Sequence, residues 1–211
     1  MADNYLENRL NDMLSHRPPK RYGNSHSLES LLAKNRSYRG YRKEYVVTAE
    51  MLKSIIAVNT KVPSGRNRQP LRFKPVTRDT GADKVLPHIR LGAGLPELHL
   101  PFAGTEPEAF IIVCSTVPED RNVYIDLGIS SQSMLLKAVD MGLNGIIIAA
   151  FDHEEIKQAF SLPYEPILVV AIGKGAEKIE LVPIAETEDH NYYRRDGVHY
   201  VPKVKVDDLI I

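Results

Sequence analysis

Two arginines and a serine lie within four residues, as Arg36, Ser37 and Arg39, beside the end of a predicted helix. Charged clusters at a helix end are most often solvated turns, and this segment taken alone favours that interpretation. The alternative is an anion site, because guanidinium and hydroxyl groups are the donors that a phosphate prefers. A second basic segment, with Lys203 and Lys205, lies near the C-terminus.

The most unusual polar stretch is the loop at residues 62–70, which reads Val-Pro-Ser-Gly-Arg-Asn-Arg-Gln-Pro. Pro63 and Gly65 break regular structure, while Ser64, Asn67 and Gln69 offer both donors and acceptors. Such a loop adds little to a hydrophobic core, but it suits a flat polar ligand held by hydrogen bonds. Together with the two basic segments, it predicts a ligand that has a phosphate at one end and a ring of donors and acceptors at the other.

Other chemistries find less support in the sequence. The seven histidines show no short-range metal-ligand spacing, and neither a nucleophile elbow nor a Walker loop is present. Cys114, the only cysteine, falls in an apolar run and is expected to be a core thiol rather than a nucleophile. Asp126 is expected to be a favourable charge at the start of a long helix. No metal site and no catalytic side chain are therefore predicted.

Composition indicates one globular domain covering residues 1–211, with 43% hydrophobic and 26% charged residues. The formal net charge of zero argues against a nucleic-acid partner, which usually calls for a basic excess. No apolar run approaches the roughly 20 residues of a membrane span, so no membrane partner and a cytoplasmic location are expected.

Hydrophobic periodicity predicts helices that alternate with apolar strands, which gives an α+β or α/β class with a covered sheet. The helices are expected at residues 3–15, 27–34, 49–59, 126–143 and 153–160, and the strands at 71–77, 109–115, 145–151 and 166–172. Residues 79–107 are interpreted as a long excursion that acts as a lid. The tail at residues 179–211 shows no long periodic element; its Asp196-Gly197 pair predicts a tight hairpin, and the tail is expected to dock on a partner subunit.

The three polar segments together resemble the nitroreductase family of FMN-dependent oxidoreductases, from about residue 27 to the C-terminus. Residues 36–39 resemble the end of the family's Arg-Arg-Ser-x-Arg segment, with Asn35 in place of its first arginine, and residues 63–70 resemble its Pro-Ser-x-x-Asn-x-Gln-Pro loop. Residues 147–152 are similar to the strand end beside the flavin ring, and residues 201–205 to the basic segment of the C-terminal arm. The implied cofactor-binding residues are Asn35, Arg36, Ser37, Arg39, Pro63, Ser64, Gly65, Arg66, Asn67, Gln69, Ile147, Ile148, Ala149, Ala150, Lys203 and Lys205.

The resemblance implies an α+β fold with a central, mostly antiparallel sheet flanked by helices, and a C-terminal arm that docks on the partner of a homodimer. It implies FMN at the dimer interface, with hydride passing from NADH or NADPH through FMN to a small electron-poor acceptor such as a nitroaromatic or a quinone. Residues 1–26 would be an N-terminal extension. Ala149-Ala150 stands where some members have Glu-Gly, a change that bears on nicotinamide or acceptor binding. The alternative function is an FMN-binding, redox-sensing or flavin-delivery protein with little turnover.

Overall fold

The computed structural model describes residues 26–92 and 94–211. The helix expected at residues 3–15 lies outside these described residues, as does almost all of the proposed N-terminal extension. Five α-helices follow one another along the described chain: α1 (Leu28–Lys34), α2 (Ala49–Ile56), α3 (Ala82–Val85), α4 (Arg121–Asp140) and α5 (His153–Ala159). Ser27, Thr48 and Asp152 cap α1, α2 and α5 through their side chains, and these three helix starts confirm the expectation from sequence.

The central sheet has four antiparallel strands in the order β1-β2-β4-β3. They are β1 (Leu71–Val76), β2 (Phe110–Ser115), β3 (Asn144–Ile148) and β4 (Glu165–Gly173). Every residue of β2 is buried, because β1 and β4 pair with its two edges while helices cover both faces. The mixed α+β class with an antiparallel sheet, expected from sequence, is confirmed.

Each face of the sheet carries its own hydrophobic core, because alternate side chains of a strand point to opposite faces. Ile111 and Val113 of β2 pack with residues of α2 and α4. Phe110, Ile112 and Cys114 pack on the other face with residues of α3 and α5. Burial raises the pKa of the Cys114 thiol to about 11, which agrees with a core thiol and not a nucleophile.

The tail forms a second sheet, and the expectation that it contains no long element is wrong. Its strands are β5 (Lys178–Ile184), β6 (Tyr193–Arg195) and β7 (Val198–Val204), and β7 lies between the other two. β5 runs parallel to β7, with Lys178 opposite Val198 and Ile184 opposite Val204. β6 and β7 form the predicted hairpin, in which Asp196 and Gly197 both have positive φ angles, of 52° and 76°.

The long helix begins five residues earlier than predicted, at Arg121 instead of Asp126. The Asp120 side chain caps it by accepting a hydrogen bond from the Val123 N–H at 2.8 Å. Asp126 therefore lies in the second turn, on the buried face of α4, and its expected role as a helix-start charge is wrong.

The first part of the 79–107 segment belongs to the packed core. Ala82 and Val85 of α3 are buried in the cluster that covers β2 and β4, and Ile89 bridges to Phe151. Beyond position 93 the segment has one short helical turn, Pro96–Leu98. A lid function for the segment stays a prediction.

Candidate functional site

The loop after α2 has an unusual backbone. Residues Gly65–Asn67 form one tight helical turn, and three non-glycine residues of the loop have positive φ: Arg66 at 52°, Asn67 at 54° and Gln69 at 49°. A left-handed conformation costs an L-residue about 1–2 kcal/mol, so this loop stores strain. Strain of this kind persists only where surrounding contacts fix the backbone, and it is common at ligand sites.

Asp126 supplies those contacts from α4. Its Oδ2 accepts a hydrogen bond of 2.6 Å from the Ser64 hydroxyl, and its Oδ1 accepts one of 2.8 Å from the Gly65 N–H. The Ser64 Oγ in turn accepts from the Gln69 N–H at 2.9 Å. One carboxylate that is only 5% exposed thus holds the start of the strained turn directly and its end through the Ser64 hydroxyl.

A cavity of about 510 Å³ opens beside this loop, which is a size that small-molecule sites commonly have. The loop contributes Pro63, Ser64 and Gln69, and α4 contributes Asp126 and Ser130. Gly65, Arg66 and Asn67 do not line it. The Gln69 amide N–H₂ donates to the Asn67 side-chain oxygen at 3.0 Å, so the two predicted flavin-facing side chains hold each other in place. We refer to this space as the loop cavity.

A second cavity, of about 330 Å³, brings together six of the predicted site residues. We refer to it as the arginine cavity. Of the sixteen residues proposed from the resemblance, these are Asn35, Arg36, Ser37, Arg39, Ile147 and Lys203. Gly145 also lines the cavity. Gln132, Leu135, Tyr192, His199 and Val201 complete much of the wall. The expected meeting of the 36–39 segment with the C-terminal basic segment therefore occurs within one chain.

Positive charge in the arginine cavity exceeds negative charge. Arg39 is only 8% exposed, and its Nη1 donates to the Ser37 carbonyl at 3.1 Å. Glu177 forms an ion pair with Arg194 and accepts from the backbone N–H groups of Arg39 and Gly40. Glu177 is thus a single negative charge beside the cations Arg39 and Arg194, and no acidic residue is among those that line the cavity in the described part of the chain.

Three residues that line this cavity each have a buried nitrogen atom without a hydrogen-bond partner in the described residues: Nε of Arg36, Nε of Arg39 and Nδ1 of His199. Burial lowers the pKa of Arg36, the mark of a cation that has lost water without a full replacement. Buried donors without partners are expensive, and an anionic oxygen ligand is the group that would satisfy them. The residues present therefore fit a phosphate.

His199 is uncharged in this environment. Burial lowers its pKa to about 4, and the charges of Arg39 and Arg194 push in the same direction. The Nη1 of Arg39 lies 3.3 Å from Nε2 of His199, and because a guanidinium only donates, Nε2 accepts and Nδ1 carries the proton. The Tyr192 ring packs against both residues, with its centroid 4.8 Å from the Arg39 guanidinium carbon and 5.1 Å from the His199 ring.

Several predicted residues lie away from both cavities. Lys205 is exposed and does not line the arginine cavity, although Lys203 does. The side chain of Ile148 is buried in the sheet core. Its neighbour Ile147, by contrast, lines the arginine cavity and is 42% exposed. Ala149 is exposed just after β3, and Ala150 lines a separate cavity with residues 87–90 and 151–154.

Four residues that line the two cavities were not predicted from sequence to be site residues: Asp126, Gln132, Tyr192 and His199. Gln132 accepts a hydrogen bond of 3.2 Å from the Asn35 side chain. Asn35 is the residue that takes the place of the first arginine in the family's motif. Asp126 did carry a signal, because an acidic side chain on the apolar face of a helix needs buried partners. The others are recognisable only through contacts between segments far apart in sequence.

The two cavities lie on different sides of α4. Asp126 and Ser130 border the loop cavity, while Gln132 and Leu135 border the arginine cavity. At about 100° per residue, the first pair and the second pair point in roughly opposite directions from the helix axis. A helix with its side chains is about 10–12 Å across, so α4 separates the two cavities of one chain.

A family model described as the nitroreductase family matches residues 32–93 and 95–174. The chain belongs to the nitroreductase family. The match includes the 36–39 segment, the loop at 62–70 and all of α4, so the resemblance seen in the sequence is confirmed.

Solved structures of nitroreductase family proteins have the same fold. One from Clostridium difficile 630 is 25% identical, with a TM-score of 0.57 over 72% of this chain and 86% of that one. A structure assigned as a nitroreductase in complex with FMN, from Exiguobacterium sibiricum, is 18% identical, with a TM-score of 0.59 over 74% of this chain and 91% of that one. Another FMN complex so assigned, from Desulfovibrio desulfuricans, is 22% identical, with a TM-score of 0.57 over 72% and 88%. A search of curated proteins finds no match.

Two further features are absent from the described residues. No helix there is both long enough and apolar enough to cross a membrane. The same residues contain no group of three or more histidine, cysteine, aspartate or glutamate side chains suited to hold a metal ion.

Proposed function

We propose that this nitroreductase family member binds FMN and uses it to transfer hydride from NADH or NADPH to a small electron-poor acceptor, such as a nitroaromatic or a quinone. The observation that carries the proposal is the arginine cavity. It offers buried, unpartnered donors with excess positive charge, beside the segment that resembles the family's phosphate-binding motif. Related structures that contain FMN add support.

Arg36, Ser37, Arg39 and Lys203 would hold the phosphate, since all four line the arginine cavity. Hydrogen bonds from charged donors to phosphate are the strong kind, about 1.5–3 kcal/mol each. Asn35 brings an amide in place of a guanidinium, and its bond to Gln132 fixes the direction of that amide. Lys205 would contribute a longer-range charge from its exposed position.

The loop at 62–70 would hold the ring end. Its Asn67 and Gln69 side chains are already joined, so their orientation is set before a ligand arrives. Such preorganisation reduces the entropy lost on binding. When bound, FMN supplies a two-electron carrier that accepts and donates hydride, so the protein's task is to bind, orient and exclude competing reactions.

Two copies of the chain would be needed to complete each site. Because α4 separates the loop cavity from the arginine cavity, the loop that meets one copy's arginine cavity would come from the other copy. Most soluble homo-oligomers are symmetric dimers, and this arrangement gives two equal sites. The expected docking of the C-terminal arm on the partner belongs to the same proposal.

Gly128 supports close approach of a second copy along α4. A Cβ at this position would meet nothing within 4 Å, although glycine inside a helix costs about 1 kcal/mol relative to alanine. The neighbouring Tyr124 and Ile125 are both at least half exposed. A small residue flanked by uncovered apolar side chains is what a helix contact between subunits requires.

The test begins with FMN titration of the purified protein, followed by absorbance and fluorescence. Saturable binding with one FMN per chain is expected; a protein that neither carries nor gains a flavin spectrum would contradict the proposal. Anaerobic mixing of the FMN-bound protein with NADH and then with NADPH follows. Rapid loss of the oxidised flavin absorbance is expected with at least one of them.

The second candidate is an FMN-binding, redox-sensing or flavin-delivery protein with little turnover. The observation in its favour is Ala149-Ala150, where some members carry Glu-Gly, because the resemblance implies a polar side chain beside the flavin ring here and this chain has none. Tight FMN binding with no bleaching by either nicotinamide would select this candidate.

A further inference from the structure

The Asp126 carboxylate makes its hydrogen bonds to the loop and to nothing else in the described residues. Oδ2 accepts from the Ser64 hydroxyl at 2.6 Å, and Oδ1 accepts from the Gly65 N–H at 2.8 Å. The relay continues through Ser64 Oγ to the Gln69 N–H at 2.9 Å. A carboxylate engaged in this way is not placed to abstract a proton from a ligand, although it borders the loop cavity.

The loop that these bonds close is the strained one. Arg66, Asn67 and Gln69 all lie in the left-handed region, and the hydrogen bonds enclose them from both ends. Without the carboxylate, the Ser64 hydroxyl and the Gly65 N–H would lose their partner in a half-buried place. The backbone would then relax toward the ordinary φ range, and Asn67 and Gln69 would turn away from their present positions.

We propose that Asp126 is a positioning residue for the cofactor, which acts through Ser64 and Gly65 to hold the loop in its binding conformation. We refer to the hydrogen bonds from Asp126 to Ser64 and Gly65, with the bond from Gln69 to Ser64, as the clamp. The identity of the ligand rests on the proposed function, whereas the clamp rests on these hydrogen bonds alone. The placement of Asp126 on α4 also ties the loop to the helix that borders the arginine cavity. One rigid helix thereby fixes the loop of one proposed site relative to the arginine cavity of the other.

The competing interpretation is that Asp126 only stabilises the fold. Four variants separate the two: Asp126→Ala, Asp126→Asn, Ser64→Ala and the double variant Asp126→Ala/Ser64→Ala. Ser131→Ala is the matched control, since its buried hydroxyl lies on the same helix, donates to the Leu127 carbonyl at 2.6 Å and lines neither cavity. A fold-stabilising role would lower the melting temperature without loosening the loop selectively.

The first readout is hydrogen–deuterium exchange of the peptide that covers residues 64–70, measured without added FMN. We expect faster exchange there in Asp126→Ala, a smaller increase in Asp126→Asn, and no change in Ser131→Ala. Unchanged exchange in Asp126→Ala would overturn the clamp, and this result does not depend on whether the wild type binds FMN.

The second readout is the FMN dissociation constant. We expect it to rise roughly tenfold or more in Asp126→Ala and Ser64→Ala, and less in Asp126→Asn, which keeps one acceptor oxygen. The double variant should bind no more weakly than Asp126→Ala, because both residues act through one relay. Faster exchange of residues 64–70 with unchanged FMN affinity would overturn the positioning role. Fully additive losses of FMN binding free energy in the double variant would overturn it as well. Failure of the wild type to bind FMN would instead contradict the proposed function. Hydrogen–deuterium exchange without FMN would still show whether Asp126 holds the loop.

Discussion

The Nη1 atom of Arg39 donates to Nε2 of His199 across 3.3 Å, and the two residues are 160 positions apart in sequence. The contact joins the segment after α1 to strand β7. Both side chains are buried, at 8% and 2% exposure, and Glu177 is the carboxylate that offsets the nearby charge of Arg39 and Arg194. The hydrogen bond requires His199 to be neutral, so its existence depends on pH.

His199 should make the FMN-free protein sensitive to acid. Its pKa is about 4 in the folded protein and about 6.5 when unfolded, so the unfolded chain binds a proton first as pH falls. The stability that this residue contributes is fully present above about pH 6.5 and is lost as pH falls toward 4. The loss should approach about 1.4 kcal/mol per pH unit, measured by urea unfolding. His199→Gln keeps an acceptor but does not titrate, so its curve should be flatter; equal slopes would contradict the assignment.

The two C-terminal lysines should differ in their effect on FMN retention. Both side chains are exposed, but Lys203 lines the arginine cavity and Lys205 does not. We expect Arg36→Ala and Lys203→Ala each to weaken FMN binding about 10- to 100-fold, as loss of a charged hydrogen bond does. Lys205→Ala should weaken it less, and more so at low salt. Equilibrium titration with FMN at two salt concentrations measures all three, and wild-type affinity in Arg36→Ala would contradict the phosphate site.

Mixed dimers should recover activity that neither parent has. Arg36→Ala damages the arginine cavity and Ser64→Ala damages the loop, so in a mixed dimer one site receives both defects and the other none. Random reassortment would restore about a quarter of the wild-type sites. The measurement is FMN bound per chain after the two variants are co-expressed or unfolded and refolded together. If both residues serve one site from the same chain, mixing will restore nothing.

A large side chain at Gly128 should prevent dimer formation without unfolding the chain. The single chain has open space there, so Gly128→Leu is expected to fold, while an approaching second copy would meet the new side chain. Light scattering should show a monomer, and FMN binding should fall with it. Gln158→Leu, an exposed position of α5, is the control for added surface hydrophobicity. A dimeric Gly128→Leu variant would place the interface elsewhere.

The Tyr192 hydroxyl should hold the second part of the 79–107 segment. It accepts a hydrogen bond of 2.9 Å from the Gly94 N–H, while its ring packs on Arg39 and His199. Tyr192→Phe removes the bond and keeps the ring, so we expect faster proteolysis within 79–107 with little change in FMN affinity. Tyr192→Ala should weaken FMN affinity as well. Equal proteolysis rates in wild type and Tyr192→Phe would show that the bond does not restrain the segment.

Sequence reasoning succeeded where the determinants are local. Ser27, Thr48 and Asp152 each cap a helix through a bond to a backbone N–H three residues later, which a short window of sequence reveals. The Asp196-Gly197 turn is equally local. The family match likewise includes the segments at 36–39 and 62–70, whose motif residues are close together in sequence; their part in binding stays a prediction.

The errors concern contacts between distant segments. The start of α4 was missed because Val123, Tyr124 and Ile125 favour a strand as readily as a helix, and the capping Asp120 decides between them. Strands β5 and β7 pair across some 20 residues, so neither shows its partner in a local window. Asp126 was assigned to a helix start because its true partners, Ser64 and Gly65, lie more than 60 positions earlier.

Helix α4 has a wall of the loop cavity on one side and a wall of the arginine cavity on the other. A small shift of α4 toward one cavity would narrow that cavity and enlarge the other. In a symmetric pair of chains, every substitution along it is also felt in both halves of the molecule. We therefore expect sequence drift to be slow on this helix even at positions that touch no ligand, since no movement of it is neutral.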